Sequence, residues 1–238
     1  MYKIAITAGH YRYTSGKRCL KKLDKNETRE WVLNDRIADK IEQLLKGYEG
    51  YSLIRTDDTT GETAVEVKDR VKKANDFGAD IYISIHHNAG VLGGKGGGIV
   101  AYTYTKVSAQ TTEWQKELYD ALIKHTGLKG NRATPLAKSN LQECRETKMP
   151  AVLLELGFMD SQTDVPIILT EDYAEACATA ICEVIVKRSG LKKKSVEDKR
   201  SLYRVQVGAF YVKSNAEALA KELKAKGYSA TIKEEAVK

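Results

Sequence analysis

Short apolar runs rich in β-branched residues alternate with longer segments of helical periodicity along most of this 238-residue chain. The predicted strands are Tyr2–Ala8, Tyr51–Arg55, Asp80–Ile85, Ile99–Tyr104, Leu141–Arg145 and Ala151–Leu156. The predicted helices lie at about Glu30–Lys46, Ala64–Phe77, Gln110–Thr126 and Asp172–Lys187. Because parallel strands are joined by helical crossovers, this alternation predicts an α/β domain whose mainly parallel, twisted sheet is flanked by helices.

The C-terminal part of the chain differs from the rest in charge and pattern. From residue 187 onward there are 14 Lys and Arg against 6 Asp and Glu, a net charge of +8, whereas the preceding residues have a net charge of −1. Residues 189–201 are charged and without periodicity, which predicts a linker. We therefore expect a first domain at residues 1–188 and a second segment at residues 202–238.

The second segment contains the pattern of one small supersecondary unit. Leu202–Phe210 and Tyr228–Lys233 are predicted strands, and between them a helix is predicted from about Asn215 to Lys226. This gives a βαβ-like half-domain of under 40 residues, which is marginal on its own. Its basic character favours contact with a polyanion or a cell wall.

Several classes of protein are disfavoured by the sequence. No run of about 18 apolar residues occurs, so we expect no insertion into a membrane. The apolar stretch Tyr2–Thr7 is too short for a secretory signal, which predicts a protein made in the cytoplasm without a signal peptide. The four cysteines lack metal-binding spacing, so we expect reduced thiols in the core.

Four polar residues fall where predicted strands end or a predicted helix begins: His10, Glu30, His86 and Glu155. Ligands of open α/β sheets bind at the carboxyl ends of the strands. Two histidines and one carboxylate with an open fourth position make a catalytic zinc site, and a second carboxylate can accept a proton from water beside it.

Each of these residues also has a purely structural interpretation. A histidine after a strand is more often a satisfied loop or core residue, and Glu30 could complement the dipole at a helix N-terminus. Glu155 is harder to explain in this way, because an acid that ends an apolar run is costly to bury unless it has a partner.

Six blocks follow one another along the chain: ITAGH, ETREWVLN, LIRTDD, RVKKAN, ADIYISIHHNA and MPAVLLELGFMD. Together they resemble the catalytic domain of N-acetylmuramoyl-L-alanine amidase family 3, over about Lys3 to Lys187. The resemblance implies that His10, Glu30 and His86 bind Zn²⁺ and that Glu155 is the catalytic acid and base. It leaves His87 outside the ligand set, as a substrate-side or surface imidazole.

The segment Tyr203–Ile232 is similar to one repeat of the peptidoglycan-binding SPOR domain, which in full has two such repeats. The two resemblances together imply a lytic enzyme that binds the stem peptides and glycan strands of peptidoglycan, and no nucleic acid. They imply cleavage of the amide between N-acetylmuramic acid and L-alanine. Because one repeat is half of that domain, either the sequence is truncated after one repeat or two chains pair their C-terminal half-domains into a homodimer.

Two other functions and two biological settings stay open at this point. Glu30 and Glu155 could instead be the paired carboxylates of a peptidoglycan glycosidase, and the chain could be a wall-binding protein without activity. As an amidase it would be a phage endolysin or a sporulation autolysin. In both settings it would reach the wall after lysis or permeabilisation of the membrane.

Overall fold

The computed structural model describes residues 1–194 and 205–236, and the chain divides into two compact units, Met1–Lys194 and Ser195–Lys238. The strands of the first unit are β1 (Tyr2–Ala8), β2 (Tyr48–Glu49), β3 (Tyr51–Arg55), β4 (Ile81–Asn88), β5 (Ile99–Thr103), β6 (Leu136–Lys138), β7 (Ala151–Phe158) and β8 (Lys192–Lys193). Its helices are α1 (Glu30–Leu45), α2 (Val67–Phe77), α3 (Ala109–Thr126), α4 (Gln142–Glu146), α5 (Val165–Ile168) and α6 (Glu171–Ser189). The second unit contains α7 (Lys213–Ala225).

Six strands form one sheet in the order β3-β1-β4-β7-β5-β6. Strands β3, β1, β4 and β7 run parallel to one another, and β5 is antiparallel to β7 and parallel to β6. The short strands β2 and β8 form a separate antiparallel pair. This arrangement confirms the predicted α/β class with a mainly parallel sheet.

The sheet is covered on both faces, which explains why its central strands are almost continuously apolar. Helices α1, α3 and α6 pack over one face, and α2 and α4 pack over the other. Helix α1 buries Leu33, Ile37 and Ile41, whose spacing of four residues places them along one side of the helix. All four cysteines are buried and free, as predicted.

The segment predicted as a strand at Leu141–Arg145 is instead a helix, and that prediction was wrong. Helix α4 begins after Leu141 and buries Glu143 and Cys144. Leu141 and Cys144 are three residues apart, so one turn of helix brings both to the same side. A run of five residues is too short for periodicity to separate helix from strand.

The predicted strands of the second unit are also not formed among the residues that the structure describes. Residues 205–210 and 228–233 have no strand pairing there, although the helix between them is present as α7. The backbone N–H and C=O groups of a strand need hydrogen bonds from a neighbouring strand. Two short segments alone form a sheet that is at best marginally stable. Residues 202–204 lie outside the described ranges.

The predicted linker at residues 189–201 is divided by the structure. Ser189 ends α6, and Lys192–Lys193 pairs with β2, so residues 189–194 lie within the first unit. Residues 195–201 lie outside the described ranges. Across residues 1–194 and 205–236, no helix has both the length and the apolar character needed to cross a bilayer.

Candidate metal centre

The four residues singled out by the sequence are carried by adjacent elements at one edge of the sheet. His10 follows β1 by two residues, His86 lies near the end of β4, and Glu155 lies in β7. Strands β1, β4 and β7 are consecutive and parallel, so their carboxyl ends lie side by side. Glu30 is the first residue of α1, which packs against β1 and β4.

Strand β4 is longer than the sequence predicts, and this changes the position of His86. The strand continues to Asn88, so His86 lies within it and is paired in register with Glu155 of β7. The register shifts between His86 and Asn88, which is a local irregularity of the kind often found beside functional sites.

Two imidazoles lie against the two oxygens of one buried carboxylate. Nε2 of His10 is 3.3 Å from Oε2 of Glu30, and Nδ1 of His86 is 3.1 Å from Oε1. The Glu30 side chain is completely buried, and the two histidine rings meet edge to face with centroids 5.1 Å apart. One ligand atom from each of the three residues lies within 4.8 Å of the others.

These residues fit a divalent cation. Oε2 of Glu30 is buried and accepts no hydrogen bond from the described residues, although buried polar atoms are nearly always bonded. Two imidazole nitrogens and one carboxylate oxygen are the donor set of catalytic zinc sites. Nζ of Lys17 lies 3.6 Å from the same Glu30 oxygen, which shows that this edge of the sheet attracts positive charge.

The backbone after β1 brings the two histidines together. Gly9 lies against the His86 ring so closely that a Cβ atom there would be 2.1 Å from Cε1. His10 has a φ of 66°, in the left-handed region that few residues other than glycine adopt. Strained backbone of this kind is concentrated at functional sites.

Burial and the neighbouring charges shift the pKa values of the cluster. Burial opposes ionisation of Glu30, but the adjacent imidazoles of His10 and His86 hold its pKa well below the ordinary value. Burial opposes protonation of His86, but Glu143 and Glu30 raise its pKa to about 10. Glu30 therefore stays charged at neutral pH.

Glu155 has the opposite shift. Its burial raises its pKa from 4.5 to about 7, which the attraction of His86 opposes and the repulsion of Glu30 supports. Oε2 of Glu155 has no hydrogen-bond partner among the described residues. A carboxyl that titrates near neutral pH is suited to both accepting and returning a proton.

His87 was expected to be a substrate-side or surface imidazole, and the structure excludes a place on the surface. It is buried, its Nδ1 donates to Oδ1 of Asn34 at 2.8 Å, and Nδ2 of Asn34 donates to the carbonyl of Gly9 at 3.1 Å. Burial lowers the pKa of His87 to about 3, so its ring is neutral. The backbone N–H of His87 also donates to Oε1 of Glu30 at 3.2 Å. His87 thus helps to fix α1 and the loop after β1.

Glu143 is the residue of this site that sequence reasoning missed. It lies in α4, is buried, and its Oε2 is 3.8 Å from Nε2 of His86. Its burial opposes ionisation, but the contact with His86 and a hydrogen bond from Ser84 lower its pKa below the ordinary value. In the sequence it is one acid in the charged segment QECRE, and no local signal separates it from its exposed neighbours.

Two family models and a similar protein together match nearly the whole chain. Residues 4–187 match a family model described as N-acetylmuramoyl-L-alanine amidase, and residues 190–238 match the SPOR domain. The sporulation-specific N-acetylmuramoyl-L-alanine amidase of Bacillus subtilis (strain 168) is 34% identical over 233 residues, which are 98% of this chain and 84% of that protein.

A phage protein and a solved structure are also similar to this chain. The endolysin of Bacillus phage SPP1 is 30% identical over 190 residues, covering 80% of this chain and 67% of that protein. The catalytic domain of CwlV, an N-acetylmuramoyl-L-alanine amidase from Bacillus (Paenibacillus) polymyxa var. colistinus, superposes with a TM-score of 0.70 at 26% identity. That superposition covers 81% of this chain and all of the solved chain.

Proposed function

This chain belongs to the N-acetylmuramoyl-L-alanine amidase family, and from that membership we propose that it hydrolyses the amide between N-acetylmuramic acid and L-alanine in peptidoglycan. The observation that carries the proposal is the cluster of His10, Glu30 and His86 with Glu155 in register beside it. A water-activating centre needs both parts, a cation site and a nearby proton acceptor.

We propose that His10, Glu30 and His86 hold a zinc ion through two nitrogens and one oxygen. When bound, zinc supplies a Lewis acid that polarises the amide carbonyl and makes water more acidic. The charge of the buried Glu30 carboxylate offsets part of the charge of the cation, and Gly9 leaves the room that the His86 ring needs.

In this proposal Glu155 transfers the protons of the reaction. With a pKa of about 7 it accepts a proton from the attacking water and returns it to the nitrogen of the leaving amine. Its place on the rigid central strand β7 keeps the carboxyl at a fixed distance from the three ligands.

The glycosidase alternative is not supported by the site. A glycosidase needs two carboxyls that both face the sugar, one to donate a proton and one to act as base or nucleophile. Glu30 is completely buried between the imidazoles of His10 and His86 and does not face solvent.

Digestion of purified peptidoglycan tests the reaction. We expect new free amino groups of L-alanine and no new reducing sugars, read by mass spectrometry of the soluble fragments. A strong chelator should stop release, and added zinc should restore it. New reducing ends that form in the presence of chelator would contradict the amidase proposal, and no product at all would favour a wall-binding protein without activity.

We propose that the second unit binds peptidoglycan, because residues 190–238 match the SPOR domain. The proposed organisation is a catalytic domain that ends at Lys194 and a wall-binding domain after it, with the charged residues 195–201 between them. Removing residues 195–238 should then reduce co-sedimentation with sacculi more than it reduces cleavage of soluble fragments.

We further propose that two chains pair through this unit. Its described part exposes several large apolar side chains, which a second copy would cover: Val205, Val207, Phe210, Tyr211, Val212, Tyr228 and Ile232. Sedimentation equilibrium of the full chain should show a dimer, and Phe210→Ser should shift it toward the monomer. A strict monomer that still binds sacculi through the tail would contradict this pairing.

We propose that this protein acts on the cell wall. One similar protein is named a sporulation-specific amidase and another an endolysin, and the cell wall would be the place of action in both settings.

A further inference from the structure

The two ring nitrogens of His86 face two different buried carboxylates. Nδ1 lies 3.1 Å from Oε1 of Glu30, inside the proposed ligand cluster, and Nε2 lies 3.8 Å from Oε2 of Glu143 on the other side of the ring. Nε2 is buried and makes no hydrogen bond with the described residues. A neutral imidazole carries its proton on one nitrogen only, so the partner of Nε2 decides which nitrogen is free to bind a cation.

Glu143 is held firmly where it meets the ring. Oγ of Ser84 donates to Oε2 of Glu143 at 2.6 Å, and Ser84 is buried on the same strand as His86. The second oxygen, Oε1, lies 4.0 Å from Nη1 of Arg70, which is also buried. A carboxylate oxygen has two lone pairs, so Oε2 can accept from Ser84 and from Nε2 of His86 at the same time.

Arg70 connects this carboxylate to the other histidine. Its guanidinium donates to the carbonyl of His10 at 2.7 Å and to the carbonyl of Ala8 at 3.1 Å. The left-handed backbone at His10 is therefore tied to the same buried group that neighbours Glu143. Arg70 and Glu143 form one outer layer behind both imidazoles.

We propose that Glu143 is a positioning residue for His86: in the zinc-loaded protein its Oε2, now 3.8 Å from Nε2, closes to accept the Nε2–H of the ring, which leaves Nδ1 as the metal-binding nitrogen beside Glu30. Carboxylates in this place fix the tautomer and orientation of a ligating histidine and strengthen its binding to the metal. The inference rests on the proposed function, because it takes His86 as a ligand. It adds a residue from α4 to a site otherwise built from β1, α1, β4 and β7.

Zinc affinity measured by competition with a chromophoric chelator tests the role of Glu143. We expect Glu143→Gln, which keeps an acceptor but loses the charge, to weaken zinc binding by about 10-fold. Glu143→Leu, which removes the acceptor as well, should weaken it by about 100-fold. The matched control is Glu146→Gln, an exposed glutamate of the same helix, which should change the affinity by less than about twofold.

The tautomer is a second readout, which a merely structural role for Glu143 would leave unchanged. In zinc-loaded protein with ¹⁵N-labelled histidine, long-range proton–nitrogen spectra should show His86 protonated at Nε2 and bound through Nδ1. In Glu143→Leu the Nε2–H should exchange faster with water. Circular dichroism and the urea midpoint of the metal-free variants confirm that each is folded.

The results separate this inference from the proposed function. If His86→Ala keeps full zinc affinity, the metal-site proposal itself is wrong. If His86→Ala loses zinc while both Glu143 variants bind it as the wild type does, only the role of Glu143 is refuted. A spectrum that shows His86 bound through Nε2 also refutes it.

Discussion

The raised pKa of Glu155 predicts that this residue destabilises the metal-free protein at neutral pH. Its folded value of about 7 lies above the ordinary value of 4.5, so between these values the folded protein keeps a proton that the unfolded chain has lost. The stability that comes from burying the neutral carboxyl is complete below pH 4.5, decreases as the pH rises to 7, and is then constant. Glu155→Gln removes this loss, because an amide of the same shape does not titrate.

The size of the effect follows from the two pKa values. At about 1.4 kcal/mol per pH unit, the free energy of unfolding of Glu155→Gln relative to wild type should rise by roughly 2–3 kcal/mol between pH 5 and pH 8. Any constant cost of burying the amide cancels in this comparison, because only the change with pH is used. The coupling of Glu155 to His86 and Glu30 broadens the transition without reversing its sign.

Urea unfolding of chelator-treated protein at several pH values measures this difference. The chain has two tryptophans, Trp31 and Trp114, and both are buried in the first unit, so their fluorescence reports on that unit alone. Glu66→Gln, at an exposed glutamate, controls for the loss of one surface carboxyl. A Glu155→Gln difference that stays flat from pH 5 to pH 8 would show that Glu155 ionises as an ordinary glutamate and lacks the raised pKa proposed for the base.

Four further predictions concern the site. In the zinc-loaded enzyme, Glu155→Gln should lower kcat by about 100- to 10,000-fold with zinc content unchanged by atomic absorption; full activity would exclude it as the general base. His86→Ala should lose both zinc and activity, and an active, metal-free variant would refute the ligand assignment. Zinc affinity should rise about tenfold per pH unit from pH 6 to 8, because the pKa of about 10 means that His86 must release a proton to bind; an affinity independent of pH would contradict this. Gly9→Ala should weaken zinc binding at least tenfold, since its Cβ would overlap the His86 ring, whereas Gly47→Ala, with only ordinary contact at 3.4 Å, should not.

Much of the first unit could be predicted because its pattern is strong. The apolar strands Tyr2–Ala8 and Tyr51–Arg55 have the predicted bounds, and α1 begins at the predicted residue, Glu30. The ligand candidates were identifiable because strand ends and helix starts can be located from periodicity, and parallel strands bring their carboxyl ends together. The short helix α4 could not be predicted, because five residues do not define a period. The end of β4 could not be predicted because its last residues are the polar His86, His87 and Asn88, which belong to the strand only through pairing with β7.

The sequence by itself determined the α/β class and the order of the longer elements of the first unit, because these depend on local periodicity, and residue type made His10, Glu30 and His86 candidates for binding a cation. Only the tertiary structure decided which second partners those residues have. Glu143 and His86 are 57 positions apart, and only the packing of α4 beside β4 brings Glu143 to the back of the His86 ring. Likewise, His87 is buried against Asn34 because α1 covers that face of the sheet. Burial and opposing charge set the pKa values of these groups, and both arise only when distant segments pack together.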